Sequence, residues 1–281
     1  MLTDKDYWNK YHIKKKDNSR NPLIKILESI IRRLLNENYL NYMRTAYSSY
    51  FFWDFLLDKY LKNHYKLKVI EIGSAPGDRL IKLKEKFNLI PFGVEYSEIG
   101  LRRNRENFLK YNLDPESIIF ADFFSKDFQN KYLNYFDIVF SWGFIEHFSN
   151  VEKVINCHLD ILRKNGILII VIPNIRGLNL ALARFFLKES IAKHNITIMK
   201  KNNFQNLFNK KKLEMLYCNY FGVFNIHLFY TNKNGIKASF LKIMKTYIRP
   251  ILNFLFRVLF KDKGFESPYI SPYLVFIGIK K

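Results

Sequence analysis

Beginning at Lys68, the chain alternates short apolar runs with amphipathic segments, and this alternation constrains the fold more than any other feature. Helical spacing of apolar residues occupies about 79–88, 98–111, 127–134 and 150–164, between the runs. Strands that alternate with helices indicate a parallel sheet with helices on both faces. The predicted strands are KVIEI (68–72), PFGVEYS (91–97), SIIFADF (117–123), FDIVFSW (136–142), GILIIVIPN (166–174), FGVFNIHLFY (221–230) and SPYLVFIGIKK (271–281).

The composition is that of an ordinary globular protein, with 281 residues of which 48% are hydrophobic and 25% charged. Only Cys157 and Cys218 are present, which excludes a disulfide framework and a cysteine-rich zinc site. The N-terminus MLTDKDYWNK is charged and aromatic, unlike a signal peptide. The longest apolar run, 167–172, is far shorter than the roughly 20 residues of a spanning helix. We therefore expect a cytoplasmic protein.

The formal net charge is +21, which has two interpretations. One is an acidic partner such as nucleic acid, anionic lipid or a phosphorylated glycan. The other is composition alone, because lysine far outnumbers arginine and proteins that recognise phosphate usually favour arginine. The charge count does not separate the two interpretations.

Residues 1–66 predict an N-terminal helical cap ahead of the domain over 67–281. Asn21 is a suitable helix cap and Pro22 suits a first helical position, so a helix is expected over about 22–35. A second helix, rich in aromatic residues, is expected from Tyr39 towards Lys62. Such an aromatic stripe usually indicates core packing or a lid, and less often a substrate pocket.

A glycine-rich turn follows the first predicted strand and precedes a helix. The strand ends in Glu71, and the turn reads Gly73-Ser74-Ala75-Pro76-Gly77. Glycines allow positive φ and close approach of the backbone to a ligand, although a tight strand–helix turn alone gives the same pattern. Two further acids sharpen the interpretation: Glu95 and Asp122 lie at the ends of the next two predicted strands. Ligands bind at this edge of a parallel sheet.

These motifs resemble those of the class I S-adenosylmethionine-dependent methyltransferases. The resemblance rests on EIGSAPG, GVEYS, FADF, FDIVFSWGFIEHF and KNGILIIVIPN, and it covers about 66–175. It implies a seven-stranded, mostly parallel Rossmann-like sheet, S-adenosylmethionine as the cofactor, S-adenosylhomocysteine as the product, and methyl transfer as the activity. The sequence departs from the family at Ala75, where many members have glycine.

The resemblance also implies the cofactor contacts. Glu71 would orient the glycine turn and attract the methionine ammonium, and Glu95 would hold the ribose. The methionine part would be wrapped by Gly73, Ser74, Ala75 and Gly77. The adenine would be held by Asp122 and Phe123, with Tyr96 or Phe123 stacking on it. The methionine side near the sulfonium would be lined by Ser141, Trp142 and Gly143.

Two histidines are the candidate catalytic residues. His147 follows the fourth predicted strand, and His194 lies in the segment that usually helps to cover the acceptor. Either imidazole would act as an acid or base, or contact the acceptor, although a lone histidine is more often a packed or exposed residue. Glu146 and His147 also resemble part of a metal-binding pattern of small-RNA 2′-O-methyltransferases. Because its second glutamate is replaced by Gly143, we expect no metal.

The ends of the fourth and fifth strands bear on the acceptor. DNA amino-methyltransferases carry an Asn/Asp-Pro-Pro-aromatic motif after the fourth strand, where this chain has SWGF. Heat-shock-type rRNA methyltransferases need an aspartate at the end of the fourth strand and a lysine at the end of the fifth. This chain has Ser141-Trp142 and Pro173-Asn174 at those places. Nucleic acid is therefore the less favoured partner. We expect methyl transfer to oxygen or nitrogen of a small molecule, a sugar or a lipid-linked glycan. The alternatives are an RNA methyltransferase and a non-catalytic binder that retains the fold.

Residues 239–263 form a basic and strongly apolar insertion before the last strand. A narrow polar stripe at helical spacing is surrounded by large apolar residues, and Pro250 is expected to kink or split the helix. Such a helix lies in a membrane interface with its cations at the headgroups, or it packs inside the protein. The first interpretation adds an anionic membrane surface as a partner. The stripe consists of Lys242, Lys245, Arg249, Asn253, Arg257 and Lys261.

Overall fold

The computed structural model describes residues 2–14, 45–186, 191–209, 211–229 and 235–281. The helix expected over 22–35 and the first part of the second expected helix lie outside these residues. The division between a cap over 1–66 and a domain over 67–281 stays a prediction.

One seven-stranded sheet organises the chain, in the order β3-β2-β1-β4-β5-β7-β6. The strands are β1 Lys68–Ile72, β2 Ile90–Glu95, β3 Ile118–Phe120, β4 Phe136–Trp142, β5 Leu162–Pro173, β6 Leu213–Phe221 and β7 Tyr273–Lys280. The first five strands pair in parallel, whereas β7 pairs antiparallel with both β5 and β6. The strand order reverses between β1 and β4, so the carboxyl ends of these two strands flank a crevice. The mostly parallel, Rossmann-like sheet expected from the sequence is confirmed.

Helices cover both faces of the sheet and are numbered here over the described residues. A π-helical turn, Phe52–Leu56, joins the two helices on either side of it, and a second, Met244–Ile248, does the same near the C-terminus. The helices are α1 Lys5–Lys14, α2 Tyr47–Phe51, α3 Leu57–Leu61, α4 Asp78–Phe87, α5 Glu98–Lys110, α6 Lys126–Lys131, α7 Val151–Ile161, α8 Gly177–Phe186, α9 Lys201–Asn209, α10 Ile236–Ile243 and α11 Arg249–Phe260.

Side-chain caps fix where several helices begin after a strand. Ser97 accepts from the amide of Gly100 at the start of α5, and Asn150 accepts from the amide of Lys153 at the start of α7. Each cap satisfies one amide that has no partner inside the helix. The sheet edge and the helix starts are thereby held in one place, where the crevice lies.

The sixth strand lies elsewhere than the sequence predicts. The strand is Leu213–Phe221, whereas the predicted run 221–230 ends in a 3-10 turn, Ile226–Leu228. The chain leaves the sheet at Gly222, where φ is +81° and a Cβ would lie 2.3 Å from Ser48. A register shift between Met215 and Tyr217 breaks the alternation of the real strand, which hides it in the sequence. Two apolar residues after Gly222, Ile226 and Phe229, instead belong to a small buried cluster. Its other members are Ala183, Phe186 and Leu241.

The helical insertion buries polar residues and exposes apolar ones, the reverse of an ordinary amphipathic helix. In α11, Asn253 and Arg257 are only 3% and 4% exposed, whereas Leu259 is 69% exposed. Asn253 accepts from the amide of Tyr47, and Arg257 donates to the carbonyl of Thr45. The expectation that the stripe's cations reach towards headgroups is therefore wrong for Arg257, because the carbonyl of Thr45 and the ring of Tyr50 hold its buried guanidinium.

Among the described residues, no helix is both long enough and apolar enough to cross a membrane.

Candidate active site

A cavity of about 480 Å³ opens at the carboxyl ends of the parallel strands, at the point where the strand order reverses. Its size suits a cofactor or other small ligand, and so does its position in a sheet of this topology. It receives side chains or backbone from β1, β2, β4 and β5, and from α1 on the opposite side.

Most residues that the sequence singles out line this cavity. They are Gly73, Ala75, Glu95, Tyr96, Asp122, Phe123, Trp142, Gly143, His147 and His194. The other four do not line it. Glu71, Ser74 and Ser141 are fully buried, and Gly77 is the residue that caps α4. Each of the four is next in sequence to a residue that does line the cavity.

Two glycines of the turn have positive φ angles, a backbone conformation that other residues adopt at a cost in energy. Gly73 has φ +68°, and a Cβ there would lie 3.0 Å from the ring of Phe144. Gly77 has φ +93°, and a Cβ there would lie 2.2 Å from Oδ1 of Asn104. The amide of Gly73 donates to the carbonyl of Val94 on β2, which ties the turn to the neighbouring strand. The turn is therefore close to the cavity without a side chain in the way.

Glu71 forms a buried ion pair that the sequence analysis missed. Oε1 of Glu71 accepts from Nε of Arg79 at 2.5 Å, while Oε2 has no hydrogen-bond partner within the described parts of the chain. Burial raises the pKa of Glu71 to about 7, and the positive charge of Arg79 opposes that shift. Arg79 lines the cavity, and its guanidinium lies 5.8 Å from the Trp142 ring. The available signal was its place in the first turn of the helix after the glycine turn.

Glu95 holds the loop that follows β2. Its Oε1 accepts from the amides of Tyr96 and Ser97, and its Oε2 lies 3.4 Å from the amide of Ala75. Burial raises the pKa of the Glu95 carboxyl, and the hydrogen bonds oppose this. The hydroxyl of Tyr96 is buried without a partner among the described residues. An unsatisfied buried hydroxyl beside a carboxylate at a cavity wall fits a polar ligand such as a ribose.

Asp122 and Phe123 follow β3, which ends at Phe120. Oδ1 of Asp122 accepts from the amide of Phe124, so one carboxylate oxygen already supports the turn. Phe123 packs edge-on against the Phe144 ring. Both residues reach the cavity, whereas the strand stops before them.

Ser141 and Trp142 end β4. Oγ of Ser141 is buried with no partner in the part of the chain that the structure describes. The Trp142 ring packs edge-on against Phe52 and Tyr273, which fixes the indole as a cavity wall.

A second group of polar side chains lies just beyond the same carboxyl end of β4. Glu146, His147 and His194 each offer a donor atom, and these atoms all lie within 4.8 Å of one another. Nδ1 of His147 lies 2.9 Å from the carbonyl oxygen of Lys193. Burial, and then the neighbouring His194, lower the pKa of His147 to about 3. Burial raises the pKa of Glu146 to about 8.

Helix α1 forms a wall that sequence reasoning did not assign. It presents Tyr7, Trp8, Tyr11 and His12 to the cavity. The Trp8 ring meets the His147 ring edge-on at 5.1 Å, and the amide of Leu2 donates to the carbonyl of His147. The aromatic density of DYWNKYH (6–12) was the available signal. Its contact partners include Ser97 and His147, which lie 88 and 139 positions away, so the sequence alone did not show what the helix covers.

Comparisons with known proteins agree with this geometry. The family model described as a methyltransferase domain matches residues 63–250. The crystal structure of the MccD protein is similar, with a TM-score of 0.56, 16% identity, and coverage of 84% of this chain and 100% of that chain. A putative sarcosine dimethylglycine methyltransferase from Galdieria sulphuraria has a TM-score of 0.52 and 12% identity over 99% of both chains. No curated protein matches the chain.

The two structural likenesses show the fold, and the family model covers more than half of the chain. The cavity fits the cofactor of that family, because it combines a glycine turn, a buried acid at the end of β2 and unsatisfied polar atoms at its wall. The chain therefore belongs to the methyltransferase-domain family, as a class I enzyme that uses S-adenosylmethionine.

Proposed function

We propose that the enzyme methylates an oxygen or nitrogen of a small molecule, sugar or lipid-linked glycan, and that the lipid-linked acceptor is the favoured one. The bound cofactor supplies a methyl group already activated on a sulfonium. The chain must then hold the acceptor in line and exclude water. The observation that carries the choice of acceptor is the outward-facing apolar side of α10 and α11.

That apolar side is large and continuous along the insertion. Ile236 is 90% exposed, and the remaining exposed residues recur at helical spacing to the end of α11. Soluble proteins rarely expose apolar patches of this extent without a partner. The patch comprises Ile236, Phe240, Ile243, Tyr247, Ile248, Ile251, Phe254, Leu255, Val258 and Leu259.

Exposed cations surround this apolar patch. Residues 235–263 contain seven lysines and arginines against one acid, Asp262. Lys237, Lys242, Lys261 and Lys263 are exposed there. An apolar face bordered by lysines binds an anionic lipid surface through both burial and charge. This supports docking on a membrane, with the buried arginine serving the protein's own packing.

The patch is connected to the cavity through one layer of side chains. Ala183 and Phe229 line the cavity, and both belong to the cluster that contains Leu241 of α10. The ring of Phe186 in the same cluster stacks on exposed Phe240. An acceptor whose head enters the cavity therefore has an apolar surface beside it for an attached lipid chain.

We assign the acceptor to the end of the cavity lined by His147 and His194. A hydroxyl acceptor has to lose its proton, whereas an amine need only arrive deprotonated. The low pKa of His147 makes its imidazole neutral at pH 7 but a weak base. The base role of either histidine stays a prediction, and their contact with the acceptor is the proposal.

The experiment that tests the acceptor uses tritiated S-adenosylmethionine, the purified protein and a lysate of the source organism. Products are separated into organic-soluble lipid, aqueous glycan and small molecules, protein, and RNA. Label in the lipid fraction supports the favoured acceptor, and label in glycan or small molecules supports the broader proposal. Label in RNA, with strongly salt-dependent RNA binding, supports the alternative acceptor and overturns ours.

Membrane docking is tested by co-sedimentation with vesicles that contain anionic lipid. We expect wild-type protein to sediment and the V258E/L259E double variant to lose at least tenfold in affinity. The control is L109E/L133E, which changes two comparably exposed leucines outside the patch. Equal sedimentation of both double variants would contradict docking by this face.

A further inference from the structure

We infer that Glu146, His147 and His194 bind a divalent transition-metal ion at the acceptor end of the cavity. The inference rests on the proposed function for its role, since an open position on the ion would receive an oxygen of the acceptor. It rests on geometry for its existence. Three donor atoms from three side chains lie within 4.8 Å of one another, and all three residues line the cavity.

The backbone brings these three residues together across a long stretch of sequence. Glu146 and His147 lie in a 3-10 turn, Ile145–His147, just after β4. The amide of Asn195 donates to the carbonyl of Glu146 at 2.7 Å. This bond and the bond from His147 to Lys193 hold the segment that carries His194 against the turn. The rings of His147 and His194 are 4.6 Å apart between centroids.

The tautomer of His147 is the one that a metal requires. The carbonyl oxygen of Lys193 can only accept, so Nδ1 of His147 donates, and Nε2 then keeps its lone pair. Histidines that bind metals usually donate their other ring N–H to a carbonyl or carboxylate, which fixes the ring orientation. Nε2 of His147 is also the atom nearest to the carboxylate, at 3.8 Å from Oε1 of Glu146.

Glu146 is a buried carboxylate that lacks a positive partner. Its side chain is 1% exposed, and its Oε2 has no hydrogen-bond partner within the described residues. Neither lysine nor arginine forms an ion pair with it in that part of the chain. A buried carboxylate is costly unless it is protonated or paired with a cation. A divalent ion between Glu146 and the two imidazoles supplies that charge.

The donor set matches a transition metal better than magnesium or calcium. Imidazole nitrogens suit zinc, cobalt, iron and copper, whereas all-oxygen ligands suit the harder cations. Two histidines and one carboxylate leave at least one open position, as in catalytic metal sites. Ligand bonds of about 2 Å place neighbouring donors roughly 3.3 Å apart, so binding requires a small inward movement of these three side chains, of which His194 is the least buried.

The sequence argued against a metal because a glutamate is missing at Gly143. The structure shows a set of donors that does not need that residue, because His194 supplies the third donor from 47 positions further along the chain. A Cβ on Gly143 would lie 3.6 Å from Oε1 of Glu146. The position is therefore beside the donors, where a glycine leaves room for a ligand.

The test is titration of full-length, chelator-treated protein with Co²⁺, followed by visible absorption, without cofactor or acceptor. We expect one equivalent to bind with d–d bands of a nitrogen- and oxygen-ligated site. H147Q and H194Q are each expected to bind at least tenfold more weakly, and H147Q/H194Q to lose the bands. Zn²⁺ is expected to compete with Co²⁺ for the site.

The control is H64Q, because His64 lies before β1 and does not line the cavity. Circular dichroism shows whether each variant is folded. Absence of Co²⁺ bands in folded wild-type protein, or equal Co²⁺ affinity in wild type and H147Q/H194Q, overturns the inference. Calorimetric binding of S-adenosylmethionine to wild-type protein and label transfer in the absence of chelator judge the proposed function separately.

Discussion

Nε of Arg79 lies 2.5 Å from Oε1 of Glu71, and the two residues join the glycine turn's strand to the helix that follows it. Glu71 is completely buried at the end of β1, whereas Arg79 reaches the cavity. The pair therefore links a carboxylate inside the sheet to a cation at the cavity wall. The methionine part of the cofactor carries a carboxylate, and we expect Arg79 to be the cation that meets it.

We expect R79M to weaken S-adenosylmethionine binding at least tenfold in calorimetry. The change removes a cation from the cavity and leaves the Glu71 carboxylate buried without its partner. Removing one member of a buried pair typically costs about 3 kcal/mol of folding free energy. Thermal unfolding of R79M should show that loss.

The matched control for R79M is R163M. Arg163 pairs with Asp137 through the same atom, Nε, at 2.6 Å, and it does not line the cavity. If R163M weakens cofactor binding as much as R79M, the effect is general destabilisation and Arg79 has no direct role.

G77A is expected to destabilise the fold by at least about 2 kcal/mol, from a positive φ and a steric clash together. Gly77 has φ +93°, and its added Cβ would meet Oδ1 of Asn104 at 2.2 Å. G235A separates the two causes, since Gly235 has φ +130° with nothing within 4 Å of its Cβ position. Chemical denaturation should show the larger loss for G77A, and equal losses would mean that the contact with Asn104 relaxes freely.

Sequence patterns predicted the strand ends and the glycine turn at the cavity, because each of these elements is formed by residues that are neighbours in sequence. Glu71 and Glu95 lie at the ends of strands whose apolar runs stand out in the sequence, the glycine turn follows the first of them, and the sheet brings strand ends to one edge. The position of β6 was not predictable in this way, because a register shift interrupts its alternation and the neighbouring run is more apolar.

The acceptor end was harder to predict because it depends on long-range packing. His147 meets Trp8 across 139 positions and His194 across 47, and no short motif records such contacts. The direction of α11 was also hidden. A polar stripe on a helix predicts that one side faces water, whereas Arg257 is turned inward by the carbonyl of Thr45.

Acid should destabilise the protein partly through His158. Burial lowers the pKa of this imidazole to about 4, from an ordinary value of 6.5, and Nδ1 donates to the carbonyl of Val154. The folded state then binds fewer protons than the unfolded state between these two pH values. Protonation of His158 therefore does not lower the free energy of unfolding above pH 6.5. As the pH drops towards 4, it lowers that free energy by about 3 kcal/mol in total.

The measurement for His158 is the free energy of unfolding by denaturant from pH 7.5 to 4.5, for wild type and H158Q. Glutamine is uncharged throughout and retains a donor for Val154. We expect a shallower decline with acid in H158Q, whatever its absolute stability. Parallel curves would show that His158 keeps an ordinary pKa.

Because α11 buries Arg257 and exposes Leu259, we expect Arg257 to contribute more than Leu259 to the free energy of unfolding. Arg257 donates to the carbonyl of Thr45, and its guanidinium lies 4.5 Å from the Tyr50 ring, so R257M removes a hydrogen bond and a cation–π contact. We expect R257M to lower the free energy of unfolding by about 2–3 kcal/mol. L259K, at a residue 69% exposed, should change it by less than about 0.5 kcal/mol. Denaturant unfolding of both variants decides the point, because an ordinary amphipathic helix would give the reverse ranking.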